Sequence, residues 1–322
     1  MSESVFEYAS IEKREVACPV CRGRSFRPLA SRDRYGMGIV TVGCLGCGLM
    51  MTNPMPTTAA LTEFYRRHYR TLYRKVDVPN PEYIREYGLD RRAQYTAGVV
   101  ADKGLLQPSV RILDVGCAEG SLLQEVRRRC PGITTVGIEP GEGFAGYCRQ
   151  ALKLDVFPSL EALRASSPPP FDVIISIHVL EHVENPVEFL RELRPLLKPG
   201  GTVLIDVPDA AAYSSLDDLH LAHLYHFSRY TLSLAAKEAG FFVAGLDRHQ
   251  PPRHPPSLRI LLRQEAPASA SDPLPDEREA VFDRMSAVGR KTFVYWLKHT
   301  PPGRLLAACR RGIRSLLRPS SS

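Results

Sequence analysis

The chain has 322 residues, 44% of them hydrophobic and 24% charged, with a formal net charge of +7. That length suits about two domains, and the apolar share excludes a wholly disordered chain. No uncharged apolar run approaches the roughly 18 residues that span a bilayer. The opening stretch, MSESVFEYASIEKREV, carries four Glu and lacks the apolar centre of a secretory signal, so the expected compartment is the cytosol. From Met285 to Ser322 there are eight Lys/Arg and no acid, which leaves the other 284 residues at −1. The basicity is a property of the tail, where it suits phosphates or an anionic membrane surface in a peripheral contact. A near-neutral body argues against nucleic acid as the partner.

In chain order, residues 1–52 hold Cys18-Pro-Val-Cys21 and Cys44-Leu-Gly-Cys47, a C-x2-C-x22-C-x2-C pattern. In a reducing compartment such pairs ligate metal rather than form disulfides. Two knuckles turning four thiolates to one point suit tetrahedral Zn2+. With all four positions filled by protein, the metal is expected to be structural, because a segment of about 50 residues buries too little core alone. Cys117, Cys130, Cys148 and Cys309 are expected to be free thiols.

Residues 53–107 read as a helical connector or lid, with Leu61, Phe64, Tyr65 and His68 at helical spacing and a second helix from about Pro81 to Lys103. Over 108–265 short strands alternate with helices. Strands are expected at Arg111–Val115, Ile133–Ile138, Phe171–Ile177, Thr202–Val207, Phe241–Leu246 and Ser257–Leu262. Helices are expected from about Gly120 to Arg129, after Gly143, over Pro186–Leu197 and over Arg229–Ala239. This rhythm predicts an α/β fold, a mostly parallel sheet with helices on both faces. Residues 266–322 read as a Pro-rich linker, Ala266–Asp276, and the basic tail, where Leu305, Leu306, Cys309, Ile313, Leu316 and Leu317 line one helical face.

The first strand of the α/β part runs into Gly116-Cys117-Ala118-Glu119-Gly120, and the second ends at Glu139. Glycines between strand and helix let a ligand approach the backbone, and a carboxylate at the second strand's end can accept both hydroxyls of a ribose. The loop is not G-x-G-x-x-G. Asp114 and Glu119 would repel a pyrophosphate and suit a ligand with an amino group and a sulfonium.

Together, ILDVGCAEGSLL, VGIEP and FDVIISIHVLEHVENPVEFLRELRPLLKPGGTVLIDVPD resemble the successive motifs of class I S-adenosylmethionine-dependent methyltransferases. The resemblance covers about Val110–Gln264. It implies a Rossmann-like seven-stranded methyltransferase sheet with its last strand antiparallel, preceded here by a small zinc-ribbon module. It also implies that S-adenosylmethionine is held by Asp114, Gly116, Cys117, Gly120 and Glu139, with Asp155 or its neighbours near the adenine. CPVC…CLGCGLMMTNPMPT resembles a subgroup with an N-terminal zinc module to which sugar and glycan methyltransferases belong.

Five of nine histidines fall between 178 and 226. His178, Glu181 and His182 form H-x-x-E-H, similar to the E-x-x-E-H metal motif of ubiquinone-pathway O-methyltransferases. Two readings stand: a His is the general base, or the three hold a divalent cation that acidifies a substrate hydroxyl. HLYHFS resembles the family's H-L-x-H-F-S element, which adds His223 and His226 as substrate or base candidates. His178, His182, His223 and His226 are thus the catalytic candidates. The expected reaction is O-methylation, or C-methylation, of a sugar or glycan intermediate by in-line methyl transfer. RNA methylation and a non-catalytic cofactor-binding scaffold are the alternatives. The sequence sets no oligomeric state.

Overall fold

The computed structural model describes residues 8–69, 76–266 and 274–299. The N-terminal part is built from short strands: β1 (Lys13–Arg14), β2 (Phe26–Ala30), β3 (Thr41–Cys44), β4 (Met50–Thr52) and β5 (Met55–Pro56). Helix α1 (Thr58–Arg67) starts where the Thr57 side chain accepts from Ala60 N, and it buries Leu61 and Phe64. Asn80 caps α2 (Pro81–Tyr87), which has Pro81 at its first position. The single helix expected over 81–103 is two. Gly88 takes φ +64°, ends α2 and starts α3 (Leu89–Asp102), which buries Ala93, Thr96, Ala97 and Val100 along one face.

The α/β part then unfolds as β6 (Arg111–Val115), α4 (Ser121–Arg129), β7 (Thr134–Ile138), α5 (Glu142–Gln150), β8 (Asp155–Phe157), α6 (Leu160–Ala165) and β9 (Phe171–Ile177). It continues with α7 (Pro186–Leu193), β10 (Leu197–Pro208), β11 (Tyr225–His226), α8 (Arg229–Glu238), β12 (Phe242–His249) and β13 (Ser257–Arg263). Seven strands form one sheet in the order β12-β13-β10-β9-β6-β7-β8. β8, β7, β6, β9 and β10 are mutually parallel, and β13 runs antiparallel between β10 and β12. β9 sits mid-sheet with Phe171, Val173, Ile174 and Ile175 buried, as an unbroken apolar run requires when helices cover both faces. Helix α7 ends at Leu193, earlier than expected. A 3-10 turn, Arg194–Leu196, follows, and Lys198-Pro-Gly-Gly lies inside β10, where the register with β9 shifts between Leu197 and Thr202.

Two features go beyond the expected layout. The four-stranded sheet of the cysteine module has the order β11-β4-β3-β2, so its edge strand comes from the α/β part. In addition, helix α9 (Arg278–His299) packs Val281, Phe282, Met285 and Val288 against Leu29, Ala30, Met50, Tyr213 and Leu219. Gly43 in β3 leaves the space that the Phe282 ring fills, since any Cβ there would overlap it. The expected tail helix around Leu305–Leu317, Cys309 with it, and most of the linker lie outside the described residues. Among the described residues no helix is long and apolar enough to cross a membrane.

Candidate active site

The carboxyl ends of the parallel strands carry the site, the usual place for ligands on an open α/β sheet. After β6 the chain turns through Gly116 (φ +85°), Ala118 (φ +47°) and Gly120 (φ +81°) before α4 begins. Gly116 N and Cys117 N both donate to Ile138 O, at 2.8 and 2.9 Å, which ties this loop to the end of β7. Asp114, Glu119 and Glu139 are each less than 9% exposed; Asp114 and Glu119 line one cleft, and Glu139 is near enough for its charge to act on Asp114. Burial, Glu119 and Glu139 push the Asp114 carboxyl up to about 7, against the pull of Arg92. Glu139 Oε1 accepts from Gly141 N at 2.7 Å, which holds the carboxylate at the strand end. A cationic ligand relieves this crowding; an anionic one would add to it. The residues therefore fit S-adenosylmethionine, whose sulfonium and amino group are positive.

Arg92 on α3 lines the same cleft as Asp114, Gly116 and Glu119. Its Nη1 donates to His254 Nε2 at 2.7 Å. Nothing in the local sequence marks Arg92, which precedes the loop by more than a strand. Two of the expected cofactor residues stand differently from the rest, although Cys117 lines the cleft. Cys117 shares its apolar surroundings with Leu123, Ala145, Cys148, Leu154 and Val156, and its thiol lies against Gly137, so only its backbone faces the cleft. Asp155 is exposed at the first residue of β8, paired with Val136, whereas the strand end beside Glu139 is Phe157, whose carbonyl accepts from Glu139 N.

His178 follows β9 with φ +54°, a left-handed conformation unusual for a non-glycine residue and typical of functional sites. Its N–H donates to Asp206 O, its Nδ1 lies 3.3 Å from Glu181 Oε1, and its ring stacks on His254 at 4.8 Å. Glu181, 1% exposed, is the centre of the cluster: His182 Nε2 and His223 Nε2 each lie 3.8 Å from the same Oε1. Glu181 O also accepts from Leu224 N and Tyr225 N, which fastens the two histidine loops together. His182 Nδ1 is 2.7 Å from Ala222 O and must donate to it, because a carbonyl only accepts. Its Nε2 faces the Glu181 carboxylate, and in the neutral ring it would offer a lone pair to a cation between them.

Burial holds His220 and His223 well below the ordinary imidazole range, helped by Arg34 and nearby histidines at His220 and by the surrounding histidines at His223. Glu181, His182 and His223 present ligand atoms within 4.8 Å of one another. Of the expected cation set His178/Glu181/His182, this group keeps Glu181 and His182 and adds His223, while His178 Nδ1 lies 3.3 Å from the same Glu181 Oε1. Burial holds His226 down to about 3; it accepts or donates at Tyr213 Oη, 3.1 Å away, within β11. His226 lies in β11, and its ring stands 6.2 Å from that of His223. Tyr65 and Tyr69, on and just after α1, stand over His182, with Tyr65 Oη 3.4 Å from Nδ1 and the Tyr69 ring edge-on at 6.4 Å.

The cysteine module gathers its four thiols as the spacing requires. Cys18 Sγ lies 3.5 Å from Cys47 Sγ, and Cys21 Sγ lies 3.4 Å from Cys44 Sγ. A tetrahedral Zn2+ with bonds of about 2.3 Å separates its sulfurs by roughly 3.8 Å. Gly46 is needed here, since a Cβ would meet Cys21 Sγ at 2.9 Å. The crowding of thiols pulls Cys44 down while it pushes Cys18 up to about 12. A bound cation lets all four ionise, so the residues fit structural zinc.

Residues 82–244 match the family described as "Methyltransferase domain". The ubiquinone biosynthesis O-methyltransferase of Caulobacter sp. (strain K31) is 35% identical over 129 residues, 38% of this chain and 48% of that one. The enzyme of the same name from Xanthomonas campestris pv. campestris (strain B100) is 30% identical over 141 residues, 41% of this chain and 57% of that one. The chain thus spans about half the length of the curated relatives it matches. The solved magnesium protoporphyrin IX methyltransferase from Synechocystis PCC 6803 with bound S-adenosylmethionine is 17% identical, covering 63% of this chain and 91% of that one, at a TM-score of 0.43. The family match takes in half of the residues and agrees with the strand order and the carboxylate-lined glycine loop: this chain belongs to the class I S-adenosylmethionine-dependent methyltransferases.

Proposed function

We propose that the protein methylates a hydroxyl oxygen of a small-molecule acceptor, with a divalent cation at Glu181, His182 and His223. The observation that carries this reading is the Glu181 carboxylate facing three imidazoles beside the cofactor cleft. S-adenosylmethionine supplies an already activated methyl group when bound. Asp114, Glu119 and Glu139 hold it by charge and hydrogen bonding, and the protein's remaining task is to align the acceptor and remove its proton.

An alcohol ionises far above neutral pH. A cation on Glu181, His182 and His223 would lower that value at a coordinated hydroxyl. His178 is the base: its Nδ1–H is held by Glu181, so the Nε2 lone pair is available for the proton. Nε2 of His178 is buried and makes no hydrogen bond within the protein, as a group reserved for substrate would.

The acceptor class rests on likeness. The cysteine module supports a sugar or glycan hydroxyl. The relatives' names favour a phenolic hydroxyl, and the Tyr65 and Tyr69 rings over His182 suit a planar acceptor. Transfer of labelled methyl from S-adenosylmethionine into fractionated host extract separates these. Label in nucleotide sugars or glycans supports the first and label in phenols the second. Label in RNA or protein alone contradicts small-molecule O-methylation.

A further inference from the structure

Helix α9 turns one face to the protein and the other outward. Val281, Phe282, Met285, Val288 and Thr292 are buried. At about 100° per residue, the opposite side of its C-terminal half carries Arg290, Phe293, Val294 and Leu297. Phe293 is 37% and Val294 46% exposed, with Arg290, Lys291 and Lys298 exposed around them.

The acids of this helix lie in its first half, where Glu279 and Asp283 pair with Arg27. Beyond Met285 the chain has eight Lys/Arg and no acid. An apolar pair ringed by cations is the pattern of a helix lying in a membrane interface. A second copy placed on this face would set cation against cation, and a nucleic acid would leave the aliphatic Val294 unused.

We propose that the outer face of the C-terminal half of α9 docks on an anionic phospholipid surface. The docked helix lies next to the loop that follows β10. Lys291 Nζ donates to Ser214 O, and Ala210, Tyr213 and Leu219 pack beneath the helix. That loop goes on to carry His220 and His223, so the bilayer would lie beside the candidate active site. Arg290, Phe293 and Val294 take no part in the cofactor cleft or the Glu181 cluster, which makes them usable probes.

The test is flotation of the full chain with vesicles of phosphatidylglycerol and phosphatidylcholine, against phosphatidylcholine alone. Flotation is expected only with phosphatidylglycerol, and release at about 1 M salt, where the screening length is about 3 Å. Arg290→Glu and the double change Phe293→Ser/Val294→Ser should each weaken partitioning about tenfold, with circular dichroism and cofactor binding unchanged. Several results would overturn the proposal: no flotation, equal binding to phosphatidylcholine, or phosphatidylglycerol binding that ignores all three substitutions and disappears only when residues 300–322 are removed. A monomer–dimer equilibrium abolished by the double change would instead make this face a contact between copies.

Discussion

His226, in the loop that carries the histidine cluster, pairs in antiparallel register with Met50 of the cysteine module. The module is therefore no separate appendage: its sheet is completed by the active-site loop, and α9 covers both. Zinc content should accordingly control more than local order. Structural zinc contributes on the order of 10 kcal/mol of binding free energy, comparable with the whole stability of a domain, roughly 5–15 kcal/mol. Metal analysis should find one zinc per chain, lost in Cys18→Ser together with turnover. Cys130→Ser, at a thiol remote from the knuckles, should keep both. A native protein without metal would remove the zinc module from this account.

Glu139 should carry much of the cofactor affinity. A hydrogen bond to a charged group contributes about 1.5–3 kcal/mol, so Glu139→Ala should weaken S-adenosylmethionine binding roughly ten- to a hundredfold by calorimetry. Asp155→Ala, at an exposed position, should leave it unchanged. An unaltered affinity in Glu139→Ala would show that the cleft is wrongly assigned.

Asp114 makes cofactor affinity depend on pH. Its carboxyl is raised to about 7, above the usual carboxylate range, so the cofactor-free protein holds this proton more tightly than the unfolded chain. The resulting stability is fully present at acid pH below the unfolded value of about 4 and is lost as pH rises through about 7. Affinity for the cationic cofactor runs the other way and should increase over that interval as the carboxylate forms. Asp114→Asn should flatten both profiles, which thermal melts and titrations at pH 5 to 8 would read. A wild-type affinity independent of pH over that range would contradict the assignment.

The two histidines of HLYHFS should behave differently. His223→Ala should remove cation binding and turnover while leaving cofactor affinity intact. His226→Ala should lower the melting temperature through loss of the Tyr213 contact, yet retain cation binding. His178→Ala should reduce turnover about 10²–10⁴-fold with cation and cofactor still bound. Equal loss of cation in His223→Ala and His226→Ala would return His226 to the site.

The α/β part was legible because its signals are local. Strand β9 is a continuous apolar run, and the loop after β6 announces itself by its glycines. What was not legible depends on distant pairing. Nothing near Tyr225–His226 says that this dipeptide will complete a sheet begun at Phe26, so His226 read as catalytic. Arg92 and His254 meet from 162 positions apart, and His223, whose Nε2 lies 3.8 Å from Glu181, comes from the loop after β10 rather than from the H-x-x-E-H spacing. Gly88 broke a helix whose apolar periodicity ran through it, because a left-handed residue ends the hydrogen-bond ladder whatever the pattern beyond. Helix α9 was masked by the Pro-rich stretch before it and by the basic composition after it.

The central claim is that Glu181 organises proton removal next to an independent cofactor cleft. Measuring methyl transfer, divalent-cation binding and S-adenosylmethionine affinity of Glu181→Gln in parallel tests it most directly. The account predicts turnover down at least about 100-fold and cation binding lost, with cofactor affinity within a factor of about two. Full turnover in Glu181→Gln, or turnover of the wild type that ignores divalent cations and their chelation, would contradict it.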